Sequence, residues 1–159
     1  MMKLDIQKFA TPKTGTLTKI YMSDKEYPTE SDLTLIMYTE EIPSPEEAAE
    51  AITYQTTDME SEEQAKSSKK ANTLAIPVLY KRDQHESLKT IADSGATKWY
   101  FIRYPEATCE KNEQPLVKSF SAQSDLVGDT ITAGDMIKDT LNLYRNSAVK
   151  ETFGLPTSN

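Results

Sequence analysis

Short segments in which apolar and polar residues alternate run through most of the chain, the period of strands with one dry and one wet face. Residues 16–22, "TLTKIYM", set Leu17, Lys19 and Tyr21 against Thr18, Ile20 and Met22. Residues 32–39, "DLTLIMYT", put Leu33, Leu35 and Met37 on one face and Ile36 and Tyr38 on the other. Ile52 and Tyr54 share a face in 51–57, and Leu74, Ile76, Val78 and Tyr80 share one in 72–81. Pro77 interrupts that last run. A proline has no N–H to give a ladder, so the strand is expected at an edge or at a bulge.

One segment changes period. In "QHESLKTIADSG", 84–95, Leu88, Ile91 and Ala92 fall at i, i+3 and i+4, which predicts a helix stopped by Gly95. The strand that follows, 97–105, is apolar both ways, with Trp99, Tyr100, Phe101, Ile102 and Tyr104 ahead of Pro105. Its second face is expected to be covered by the helix or by a neighbouring copy. Residues 116–128 alternate at Phe120, Ala122, Ser124 and Leu126. Residues 135–146 fit both periods: Ile137, Leu141 and Tyr144 suit a helix, whereas Ile137, Asp139, Leu141 and Leu143 suit a strand. The preceding run of strands favours strand.

These elements predict a mainly β domain, sandwich or barrel, with one flanking α-helix and a long loop. The expected organisation is an N-terminal arm at 1–15, a β domain at 16–150 and a C-terminal tail at 151–159. The length, 159 residues, suits one domain with its own core. The long loop comprises two polar segments, 39–51 and 58–71, around the third strand. From Glu40 to Glu63 it carries nine acids, among them Glu41, Glu46 and Glu47, and no base. Lys66, Lys69 and Lys70 then arrive together. Such a stretch reads either as a solvated loop or as an ordered surface with a charge task.

Charge and chemistry narrow the function. The net charge of -7 argues against a protein that grips nucleic acid through phosphates, because that affinity comes from Lys and Arg. A single cysteine, Cys109, allows no internal disulfide and no cysteine metal site. The single histidine, His85, lies in "RDQHES" and reads as a solvated helix-start residue. There is no phosphate-binding loop, nucleophile elbow, zinc-protease pair or EF-hand loop, and Asp125, Asp129 and Asp135 lack calcium-loop spacing. No catalytic, cofactor-binding or metal-binding residue is assigned, and no cofactor is expected. Neither a signal peptide nor an apolar run of membrane-spanning length is visible, so the chain is expected to be made in a cytoplasm and to avoid membranes.

The order of features resembles the tail tube (major tail) proteins of siphophages. It covers roughly residues 16–150: strands, a long polar loop, then "IPVLYKRD", "HESLKTIADSG", an aromatic strand and a polar β-rich end. The opening "MKLDIQKFA" is similar to the start of structural proteins from phages of Gram-positive hosts. The resemblance implies a virion protein whose sheets join edge to edge in hexameric rings that stack into a tube. It implies tape measure, distal tail and tail terminator proteins as partners. DNA would pass an acidic lumen without specific binding. Assembly is expected to use Lys3, Leu4, Ile6 and Phe9 of the arm, and Glu40, Glu41, Glu46, Glu47, Lys66, Lys69 and Lys70 of an inter-ring loop.

Alternatives are another virion part, such as a head–tail completion, baseplate or decoration protein, or a monomeric β-sandwich binding module. The module would present Trp99, Tyr100 and Tyr104 as an exposed platform.

Overall fold

The computed structural model describes residues 17–58, 60–69, 71–105 and 114–158. The arm residues Lys3, Leu4, Ile6 and Phe9, together with Lys70 and Cys109, lie outside them.

The alternating segments become antiparallel strands β1 (Lys19–Ser23), β2 (Thr34–Ile36), β5 (Thr73–Leu79), β6 (Thr97–Arg103), β7 (Leu116–Gly128), β8 (Lys138–Arg145) and β9 (Lys150–Phe153). Between β2 and β5 lie β3 (Ala51–Tyr54) and β4 (Glu63–Lys66), which form a separate hairpin. The main sheet runs β2-β1-β6-β7-β8-β5, and β9 pairs with β7 beyond the end of β8. The ambiguous segment 135–146 is a strand because it pairs on both sides, with β7 and with β5.

The sheet closes on itself. Just after β2, Tyr38 takes a left-handed conformation, φ 61°, which turns the chain across to β5. There Thr39 bridges Val78, Leu79 N–H donates to the Tyr38 carbonyl at 3.0 Å, and Glu40 N–H donates to the Pro77 carbonyl at 3.1 Å. A residue's N–H and C=O point to the same side of a strand, so the missing N–H of Pro77 faces this short seam and not the ladder with β8. The result is a barrel with one lightly stitched joint.

Inward positions are those the alternation marks. Ile20, Met22, Ile36, Leu74, Ile76, Val78, Tyr100, Ile102, Phe120, Ala122, Leu126, Leu141 and Leu143 form one buried cluster. Each large side chain so buried stabilises by about 1.5–3 kcal/mol relative to an exposed one. Helix α1 (Arg82–Ser94) contributes Leu88, with Ile91 and Ala92 packed against it. The helix ends at Gly95, whose φ of 64° is the left-handed C-cap that a side chain would strain.

Two sequence expectations need correcting. The second face of β6 is not covered by the helix or a neighbour. Phe101 and Val117 point outward from the barrel and are still fully buried. The connection between β1 and β2 straps this face. Glu30 bonds Arg103 at 2.8 Å and Glu26 bonds Lys150 at 2.6 Å, while Asp24 pairs with Lys98 at one end. Arg103 in turn lies over the Tyr21 ring at 4.9 Å. His85, expected to be solvated, is half-buried and bonds Asp139 of β8 at 2.7 Å.

Candidate functional site

The hairpin is the feature that the barrel does not need. Ala51 pairs with Lys66, Ile52 with Ala65, Thr53 with Gln64 and Tyr54 with Glu63. Directly opposed residues share a face, so Ile52, Tyr54, Ala65 and Glu63 line one side and Ala51, Thr53, Gln64 and Lys66 the other. Every residue of both strands is exposed, Ile52 at 54% and Tyr54 at 42%. The Tyr54 hydroxyl donates to Glu63 at 3.0 Å.

Its base, by contrast, is laced. Glu46 bridges Ala71, Ser67 N–H donates to the Glu50 carbonyl at 2.8 Å, and Lys69 reaches Glu46 at 3.0 Å. The two arms of the hairpin are therefore tied to each other at the root, and every residue of its two strands is exposed.

A second surface gathers near the barrel seam. Tyr38, Leu79, Tyr80, Lys81, Asp135, Met136 and Ile137 line an open groove of about 530 Å³. Met136 is 74% exposed, and Ile131 on the same β7–β8 connection and Val127 near the end of β7 are also exposed. Lys81 lies over the Tyr38 ring at 5.5 Å, and the Tyr80 ring tilts against His85 with centroids 5.2 Å apart. Isolated exposed apolar side chains are ordinary, but a contiguous set around a groove marks an interaction surface.

The expected assembly residues divide. Glu40 bonds Lys138 at 2.8 Å within the chain, a contact that raises the lysine's pKa. Glu46 and Lys69 pair with each other within the chain at 3.0 Å. Glu41, Glu47 and Lys66 are exposed, and Lys66 stands on the hairpin. Tyr100 cannot belong to an exposed aromatic platform, because it is fully buried and stacks on Phe120 at 6.0 Å.

Sequence reasoning missed two things here. "EEQAK" has no β-rich composition, and it is a strand only because β3 offers it an edge. The groove was missed because its walls come from three separated segments. Its one visible signal was the pair Met136–Ile137 in an otherwise polar turn. Among the described residues, no three His, Cys, Asp or Glu side chains gather as a metal site.

No family model and no curated protein matches the sequence. Among solved structures, the fold is similar to that of a chain in the cryo-EM structure of the anti-feeding prophage (AFP) baseplate, 6-fold symmetrised. The match has a TM-score of 0.61 and 10% identity, and covers 91% of this chain and 97% of that one.

Proposed function

We propose that this chain is a structural virion protein, a tail-tube-type subunit that assembles with copies of itself into rings and stacks them into a tube. The observation that carries the reading is the exposed hairpin, a structured element laced at its root whose strand residues all lie at the surface. Such an element is explained by another molecule. The shared fold supports the same reading, since the similar chain sits in a phage-derived assembly drawn with sixfold symmetry.

On this reading the chain has no catalytic role. The acidic balance suits a wall along which DNA slides without binding, because like charges repel. Tape measure, distal tail and terminator proteins would be its partners in a virion made in a host cytoplasm.

A second reading, a baseplate component, is favoured by the setting of the similar chain. The two differ in product: a tube subunit polymerises without a fixed length, whereas a baseplate part stops at a discrete ring. Negative-stain electron microscopy of the concentrated protein, beside a sizing column, tests both. Hollow tubes carry the first reading and single rings the second. A monomer at all concentrations, even with a tail-tip initiator added, overturns both.

A further inference from the structure

The segment that follows β2 crosses the barrel seam on few bonds. Position 38 lies opposite 79 and position 40 opposite 77, and two regular pairs of this kind would exchange four backbone bonds. Two are made, from Leu79 N–H to the Tyr38 carbonyl and from Glu40 N–H to the Pro77 carbonyl. Pro77 has no N–H with which to make a third. Tyr38 holds its left-handed conformation at a cost that is released when the segment lets go. The ion pair of Glu40 with Lys138 is exposed to solvent on both sides and adds little.

The helix supplies the missing grip. Gln84, in the first turn of α1, accepts the Met37 N–H at 2.8 Å through Oε1 and donates to the Met37 carbonyl at 2.9 Å through Nε2. One side-chain amide thus pairs both backbone groups of the residue at which the chain leaves β2, as a neighbouring strand would. The helix has its own hold on the barrel, through Leu88 in the core and His85 on Asp139.

We propose that residues 37–40 form a displaceable flap and that Gln84 is the latch that keeps it on β5. The flap lifts while its flanking strands stay paired. β2 keeps Thr34, Leu35 and Ile36 on β1, and β5 keeps Thr73–Leu79 on β8. Lifting opens the barrel wall beside Val78 and frees the edge of β5 at Pro77 and Leu79. The device belongs to the single chain, whatever that chain assembles into.

Amide hydrogen exchange of the full chain, read residue by residue by NMR, tests the latch. Val78 and Leu79 are neighbours in sequence whose N–H groups point to opposite sides of β5, Val78 to the β8 ladder and Leu79 to the seam. Leu79 and Glu40 are expected to exchange at least about tenfold faster than Val78, because a local opening exposes them without unfolding the barrel. Gln84→Ala should speed Leu79 and Glu40 by a further factor of about 5–30, as the loss of two modest hydrogen bonds does, and leave Val78 unchanged. Gln84→Met keeps the length of the side chain and its helix preference without the amide, and should match it.

Equal exchange of Val78 and Leu79 in the parent overturns the flap. Unchanged exchange at Leu79 and Glu40 in both variants overturns the latch. Acceleration of Val78 by the same factor, or failure of both variants to fold, also overturns it, because Gln84 would then hold the whole barrel and not one segment.

Discussion

The Nδ1 atom of His85 lies 2.7 Å from Oδ2 of Asp139, which bonds the first turn of the helix to a buried position on β8. Asp139 is only 7% exposed, so its carboxylate depends on this donor far more than a surface acid would. His85→Ala is expected to cost about 1.5–3 kcal/mol, the range for a hydrogen bond to a charged group whose partner stays buried. Urea denaturation measures it. His85→Leu combined with Asp139→Leu should cost less than the two single changes summed, because the pair then leaves no unpartnered charge.

Phe101 faces away from the barrel interior and is nevertheless wholly buried, on the face to which the strap from Asp24 to Leu33 is ion-paired. Phe101→Ala should therefore cost about 3–5 kcal/mol in the isolated chain, as an interior phenylalanine does. If another copy supplied the cover, the loss would be small in the monomer and appear only on assembly. Thermal denaturation of dilute protein separates the two.

Tyr100 presents the opposite case, a buried side chain with a polar group to spare. Its hydroxyl has no hydrogen-bond partner of normal geometry. Burial raises the phenol's pKa above its ordinary 10, and the Ser124 side chain offsets part of that rise. Tyr100→Phe keeps the stacking on Phe120 and removes the stranded hydroxyl. It is expected to leave stability unchanged or raise it by up to about 1 kcal/mol, read from the denaturation midpoint.

The strap also carries a pH dependence. The Lys25 amine and the Thr29 backbone N–H, both bonded to Asp32, lower its carboxyl from 3.8 to about 2. A carboxyl lowered on folding stabilises the chain above its ordinary value, and that contribution is lost as pH falls through the folded value. The strap should therefore hold fully from neutral pH down to about 4 and loosen between there and about 2. Asp32→Asn should melt below the parent protein at neutral pH, and the gap should close across that window.

What the sequence disclosed and what it hid divide along the range of the interactions. Alternation marked Ile20, Met22, Leu74, Ile76 and Leu141 as inward because the side-chain period is local. Gly95 marked the helix end for the same reason, since its φ is a property of one residue. The barrel seam was hidden because it depends on Tyr38 turning toward β5, a partner some forty residues on. The strand β9, Lys150–Phe153, runs into the segment expected as a tail from 151, and it exists because β7 outruns β8 and leaves an edge to pair. His85 looked solvated because its neighbours in sequence are polar, whereas its partner Asp139 arrives from another strand. The assembly residues were the least legible, because acids in a polar run do not disclose which ones meet a base of their own chain.

The hairpin offers the sharpest separation of folding from assembly. All of its strand residues are exposed, and its root is tied at Glu46 and Ala71. Replacing residues 48–69 with a short Gly/Ser linker removes an exposed element and shortens a loop, and loop length enters stability only logarithmically. The shortened chain should melt within a few degrees of the parent, with an unchanged far-ultraviolet signature of the barrel. It should also stay monomeric at concentrations where the parent assembles, as sizing and negative-stain microscopy would record. A shortened chain that still formed rings or tubes would place the joint in the barrel alone and leave the hairpin without the role assigned to it. A shortened chain that failed to fold would mean that the hairpin stabilises the barrel, against the exposure of every one of its strand residues.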